Sequence, residues 1–256
     1  MQARRALLAG ISWLLLIAVP LPALAKDKDK EKDQEKTGGS QIVDSGSFGV
    51  FMNGRRVATE TFSIQQNPTG SVATSEFKTE EGMDKAAQSS ELQLTTTGDL
   101  KKYEWKELSP GRAQAVIVPS DNLLIEHSTA NPQDKQEEHP FLLPASTSVL
   151  DDYFFVHREI LAWKYLATGC KQEKGQVSCP ANQQVKFGAI NPHQRASLLV
   201  SMAFTGKEKV PVHGAERELN HFVLKSDGGD WSLWLDDQFK LIRILVASDN
   251  TEVVRD

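Results

Sequence analysis

Cysteine is nearly missing from this chain: there are two in 256 residues, Cys170 and Cys179. That excludes a disulfide-dense scaffold and any zinc site built on thiolates, which needs further sulfur or histidine ligands at short spacing. Histidine does not supply them. His127, His139, His157, His193, His213 and His221 form neither H-E-x-x-H nor an H-x-H pair, so no metal is expected. Positive charge is also in deficit, with 29 basic residues against 34 acidic ones and a net charge of −5. Setting aside Arg4 and Arg5, which fall in an expected leader, leaves 27 basic residues and a net charge of −7. A chain of that sign lacks the basic face that phosphate neutralisation requires, which argues against nucleic acid as a partner.

Catalytic signatures are missing too. There is no G-x-S-x-G elbow, no phosphate-cradling glycine loop and no dinucleotide fingerprint, so no cofactor is expected and no catalytic residue is assigned. Ser75-Glu76-Phe77-Lys78 fits S-x-x-K, Ser120-Asp121-Asn122 and Ser248-Asp249-Asn250 fit S-D-N, and Lys36-Thr37-Gly38 fits K-T-G. Together these imitate the penicillin-binding signature, but a nucleophilic serine opening a buried helix cannot come from the alternating, strand-like run around Ser75. A non-enzyme is expected.

Long apolar runs are confined to the start. Arg4 and Arg5 precede the run Ala6 to Val19, and Ala23-Leu24-Ala25 has the small-x-small cleavage pattern, so residues 1–25 read as a signal peptide for export. The run is shorter than the roughly 20 residues that span a bilayer, and no transmembrane segment is expected after its removal. Residues 26–41 open with Lys26 to Lys36, KDKDKEKDQEK, a charged flexible tether with nothing to bury. The expected compartment is the periplasm or cell envelope, where Cys170 and Cys179 form one disulfide around eight intervening residues.

What is present from residue 42 to 256 reads as a single β-rich domain. Phe48, Val50 and Met52 alternate with other residues up to Asn53-Gly54, a strong hairpin signal. Further extended runs follow at 72–79, 91–97, 100–108, 113–118 and 123–127, separated by turn residues. Residues 131–140 read as a long surface loop. After Pro144 the apolar period changes to 3.6, and Ser148-Val149-Leu150-Asp151 has the form of a capping box opening a helix over 149–167. Projected as a helix, Tyr153, Ile160 and Trp163 lie on a broad apolar arc, with Asp151, Arg158 and Glu159 opposite. His157 and Lys164 sit within that arc, where an imidazole or ammonium needs a partner. Either each is satisfied locally, or the pair faces a cavity and anchors a ligand's polar head. Strands resume near 195–204, 216–225, 231–235, 240–247 and 251–255. Trp231 and Trp234 point to opposite faces of one of them, one toward the core and the other toward a second packed layer, a ligand or solvent.

The expected architecture is a strongly curved antiparallel sheet or half-barrel of about ten strands, mainly β (α+β), with the helix packed in its concavity. Gly49 to Val57, Val149 to Phe154 and Trp234 to Leu241 resemble a group of uncharacterised exported bacterial β-rich proteins, and that resemblance implies a half-barrel like those of LolA-like periplasmic carriers. It carries no catalytic residues. The functional expectation is a non-enzymatic envelope protein that holds an apolar, lipid-like ligand between sheet and helix, with Tyr153, His157, Trp163, Lys164 and Trp234 as ligand-binding residues. The alternative is an assembly factor that binds other envelope proteins through an exposed strand edge, with no cavity.

Overall fold

The computed structural model describes residues 39–80 and 85–256. The expected signal peptide and most of the expected tether lie outside the described residues.

The chain opens with β1 (Gln41–Met52) and β2 (Arg55–Asn67), joined at Asn53-Gly54. Both turn residues have positive φ, 52° and 77°, the pairing a two-residue hairpin needs to match strand twist. A meander follows: β3 (Gly70–Thr79), β4 (Ala87–Leu94), β5 (Leu100–Ser109), β6 (Gln114–Ser120), β7 (Leu123–Thr129) and β8 (Glu137–Phe141). Gly70 has φ of +145°, and a Cβ there would lie 1.9 Å from the Leu94 carbonyl oxygen, so only glycine lets β3 and β4 close at this end. After β9 (Ser148–Val149) comes α1 (Val156–Gly169). The small hairpin β10 (Lys171–Glu173) and β11 (Gln176–Ser178) lies inside the Cys170–Cys179 disulfide. The second arm comprises β12 (Gln184–Asn191), β13 (Ala196–Val212), β14 (Ala215–Ser226), β15 (Gly229–Leu235), β16 (Leu241–Val246) and β17 (Thr251–Arg255).

Among the described residues, fifteen strands form one sheet, in the order β8-β7-β6-β5-β4-β3-β2-β1-β17-β16-β15-β14-β13-β12-β9. This corrects the expected half-barrel of about ten antiparallel strands. The sheet is larger and open, and it is mixed because β9 pairs with β12 in parallel. The additional strands arise where short or polar segments give weak periodicity: β8 occupies part of the expected loop at 131–140, and β9 takes the serine expected to cap the helix. The first and last strands pair at the centre, with Phe48 opposite Arg255.

Alternation along β2 turns Ala58, Glu60, Phe62 and Ile64 to the buried face, and Ala73, Ser75 and Phe77 do the same on β3. This face packs against α1 and carries the main core. The sheet curls far enough for the turn after β12 to reach the other arm, with Arg195 donating to Ser128 Oγ at 2.7 Å. On the opposite face, the part of the β13–β14 hairpin beyond its bulge at Phe204/Gly206 reaches β17, where His213 Nε2 lies 2.6 Å from the Arg255 carbonyl oxygen. It covers a second apolar cluster of Val210, Val212, Leu219, Trp234, Ile242 and Val254.

Among the described residues, no helix is long and apolar enough to cross a membrane.

Candidate functional site

The expected helix start is corrected first. Ser148 and Val149 are strand residues paired with Ala189 and Ile190, and α1 begins at Val156, seven residues later than expected. The capping box does not form because Asp151 turns inward. Its Oδ2 accepts from Tyr103 O–H at 2.6 Å and lies 2.8 Å from His193 Nδ1, while Oδ1 accepts from the Tyr153 amide at 2.9 Å. These partners hold the Asp151 carboxyl below its usual range against the opposing effect of burial. His193 Nε2 lies 2.8 Å from the Gln88 side-chain amide, so both ring nitrogens are engaged.

The helix N-terminus is capped instead from the sheet. Glu60 of β2 accepts from the Phe155 amide at 2.7 Å, the Val156 amide at 3.3 Å and Ser75 O–H at 2.7 Å. A carboxylate at this end satisfies amides that the helix itself leaves unpaired and complements its dipole. Full burial nonetheless outweighs those bonds and pushes the Glu60 carboxyl up to about 7.

Arg158 and Glu159, assigned to the solvent face by the projection, are 3% and 0% exposed. Arg158 donates to the Phe154 and Asp151 carbonyls and lies over the Trp231 ring, 4.6 Å from its centroid. Burial and the neighbouring Asp44 push the Glu159 carboxyl well up. Asp44 itself is held down by Glu159, Arg255 and Lys240 despite its burial. The first turns of α1 are therefore buried on nearly every side, with Arg158 held by carbonyls and the Trp231 ring and Glu159 facing the carboxyl of Asp44. Only the inward register of Glu60, between Ala58 and Phe62, could have announced this from the sequence.

The expected ligand residues fall into three places. His157, Trp163 and Lys164 line a cavity of about 380 Å³ between α1 and β2 to β4, whose apolar walls are Ile64, Ala73, Leu92, Leu94, Ile160 and Leu161. His157 lies at its floor. Its Nδ1 is 3.4 Å from the Asp151 amide, Nε2 has no partner, and burial drives its pKa down to about 3, so the ring is neutral. Trp163 donates its indole N–H to the Phe239 carbonyl at 2.7 Å. Lys164 Nζ donates to the Ser146 carbonyl near the rim, and burial lowers its pKa.

Tyr153 lies in a separate, wider bowl of about 990 Å³ at the other end of α1, beside Phe77, Phe155 and Trp231. Trp234 is on the opposite face of the sheet. It is 5% exposed, donates to Glu208 Oε2 at 2.9 Å and stacks on His221. Trp231 is thus the member of that strand turned to the helix, and Trp234 belongs to the second packed layer.

Compared with family models, curated proteins and solved structures, the chain matches none. The resemblance to LolA-like half-barrels gains no support from these comparisons, and no family is assigned. The geometry alone carries the functional reading.

Proposed function

We propose that this chain is a non-enzymatic binder or carrier of an apolar, lipid-like ligand, working in the exported envelope compartment that its leader sequence suggests. The observation that carries the reading is the cavity between α1 and β2 to β4, apolar along its walls and bordered by a lysine. Its volume is near the low end of the roughly 300–1,000 Å³ usual for small-molecule sites, which suits one acyl chain better than a two-chain lipid. On this reading Lys164, which donates to the Ser146 carbonyl near the rim, meets an anionic or polar head while the chain runs inward.

Binding is favoured over catalysis because the oriented imidazole of His193 is engaged at both nitrogens. The assembly-factor alternative has less support. The β8 edge carries Glu137, Glu138, His139 and Pro140, residues that discourage strand addition, and β9 offers only two residues. Trp234 is covered.

Ala167 is exposed and borders the cavity, so a bulky side chain there obstructs it without overpacking the core. With delipidated protein and palmitate as probe, Ala167→Trp is expected to weaken binding at least about tenfold, which corresponds to about 1.4 kcal/mol. Trp234→Phe is expected to leave binding unchanged. Equal palmitate affinity in wild type and Ala167→Trp, measured by calorimetry, overturns the reading.

A further inference from the structure

A further cleft, of about 580 Å³, lies where the two arms of the curled sheet meet, away from α1's apolar cavity and from the bowl beside Tyr153. Strand register builds one wall. Trp105, Ala115 and Ser128 are aligned across β5, β6 and β7, and Tyr103, Ile117 and Glu126 form the adjacent row, so the register brings Trp105, Glu126 and Ser128 to the cleft together. The other wall is the β12–β13 turn, which brings His193 onto the Trp105 ring at a centroid distance of 4.2 Å and places Arg195 beside β7.

Three side chains lining this cleft carry buried polar atoms without a hydrogen-bond partner: Trp105 Nε1, Glu126 Oε2 and Thr129 Oγ1. Buried polar groups in folded proteins are nearly always paired, so three on one cleft form a coherent unmet demand. Glu126 is the strongest member because it is 1% exposed. Burial raises its pKa, with Arg195 opposing.

The charges define the ligand class. Arg195 lies 3.5 Å from Glu126 and 3.6 Å from Glu137, so its charge is already balanced. An anion would meet Glu126, Asp134 and Glu137 and a cation would meet Arg195 and Lys135, whereas an apolar molecule would leave all three polar atoms unpaired. A hydroxyl group both donates and accepts, which suits an indole N–H, a carboxyl and a threonine hydroxyl together. We propose that the cleft at the seam between the sheet arms binds a neutral, hydroxyl-rich small molecule of the saccharide class.

The test uses isotope-labelled full chain titrated into the millimolar range with glucose, galactose, N-acetylglucosamine and maltose. At least one is expected to shift the Trp105 indole N–H resonance saturably. Trp105→Phe keeps the ring but removes the donor, and Glu126→Gln keeps the shape but removes the acid. Each is expected to lower that sugar's affinity at least about tenfold by calorimetry while palmitate binding is retained. If no sugar moves the indole resonance, or if both variants bind sugar as wild type does, the proposal is overturned. Because palmitate reports on the other cavity, failure here is distinguishable from failure of the carrier reading.

Discussion

Glu60 is where one side chain decides most. It joins β2 to the start of α1, and its fully buried carboxyl titrates near 7 instead of the ordinary 4.5. The folded protein therefore retains this proton over a range where the unfolded chain has released it. Glu60's contribution to stability is greatest below about pH 4.5, falls as pH rises toward 7 and is level above that. His157, depressed from 6.5 to about 3, acts in the opposite sense, and its contribution is lost as pH falls below 6.5. Between pH 4.5 and 6.5 the two nearly cancel, because opening this region moves a proton from one group to the other without net uptake. Glu60→Gln removes one half of that balance. The stability difference between variant and wild type, from urea unfolding, is expected to shift by about 3 kcal/mol in the variant's favour between pH 4.5 and 7.5. A difference independent of pH would show that Glu60 is not the titrating group.

Among the elements, the hairpins were the most legible. Asn53-Gly54 marks the β1–β2 turn, and the last four strands lie close to their expected positions, because alternation and turn residues agree locally. The start of α1 was not legible. A capping box competes with tertiary partners, and Tyr103 and His193, distant in sequence, win Asp151. The helix's charged face was misread for the same reason, since projection cannot see that Asp44, Glu60 and Trp231 wait on the sheet. The cavity beside His157, Trp163 and Lys164 was partly foreseeable from polar residues on an apolar arc, but the separation of Tyr153 and Trp234 depends on sheet curl and on a hairpin that folds over. The Cys170–Cys179 bridge was legible from count and spacing, and the structure pairs the two. Replacing both by serine is expected to cost about 2–3 kcal/mol, because so short a loop restricts the unfolded chain only modestly. Urea denaturation at fixed pH measures this; no loss would mean that the bridge leaves the unfolded ensemble unchanged.

At the scale of the whole sheet, everything depends on the junction between β1 and β17. β17 pairs with both β1 and β16, and Arg255 bonds Asp44, which faces Glu159 of α1. Deleting residues 251–256 is expected to abolish cooperative unfolding and the dispersed amide spectrum of the folded state, since it divides one sheet into two and removes Arg255 from buried Asp44, leaving Lys240 as its basic partner. A truncated chain with wild-type dispersion would show that each arm folds without the other. The same junction sets the order of assembly. The meander from β1 to β8 joins neighbours in sequence and can take shape as the chain emerges, but the seam at β1 closes only when β17 arrives. Until then, the earliest strand presents an uncovered flank at the middle of the future sheet, so the interval before completion is when this protein is most exposed to mispairing with another copy.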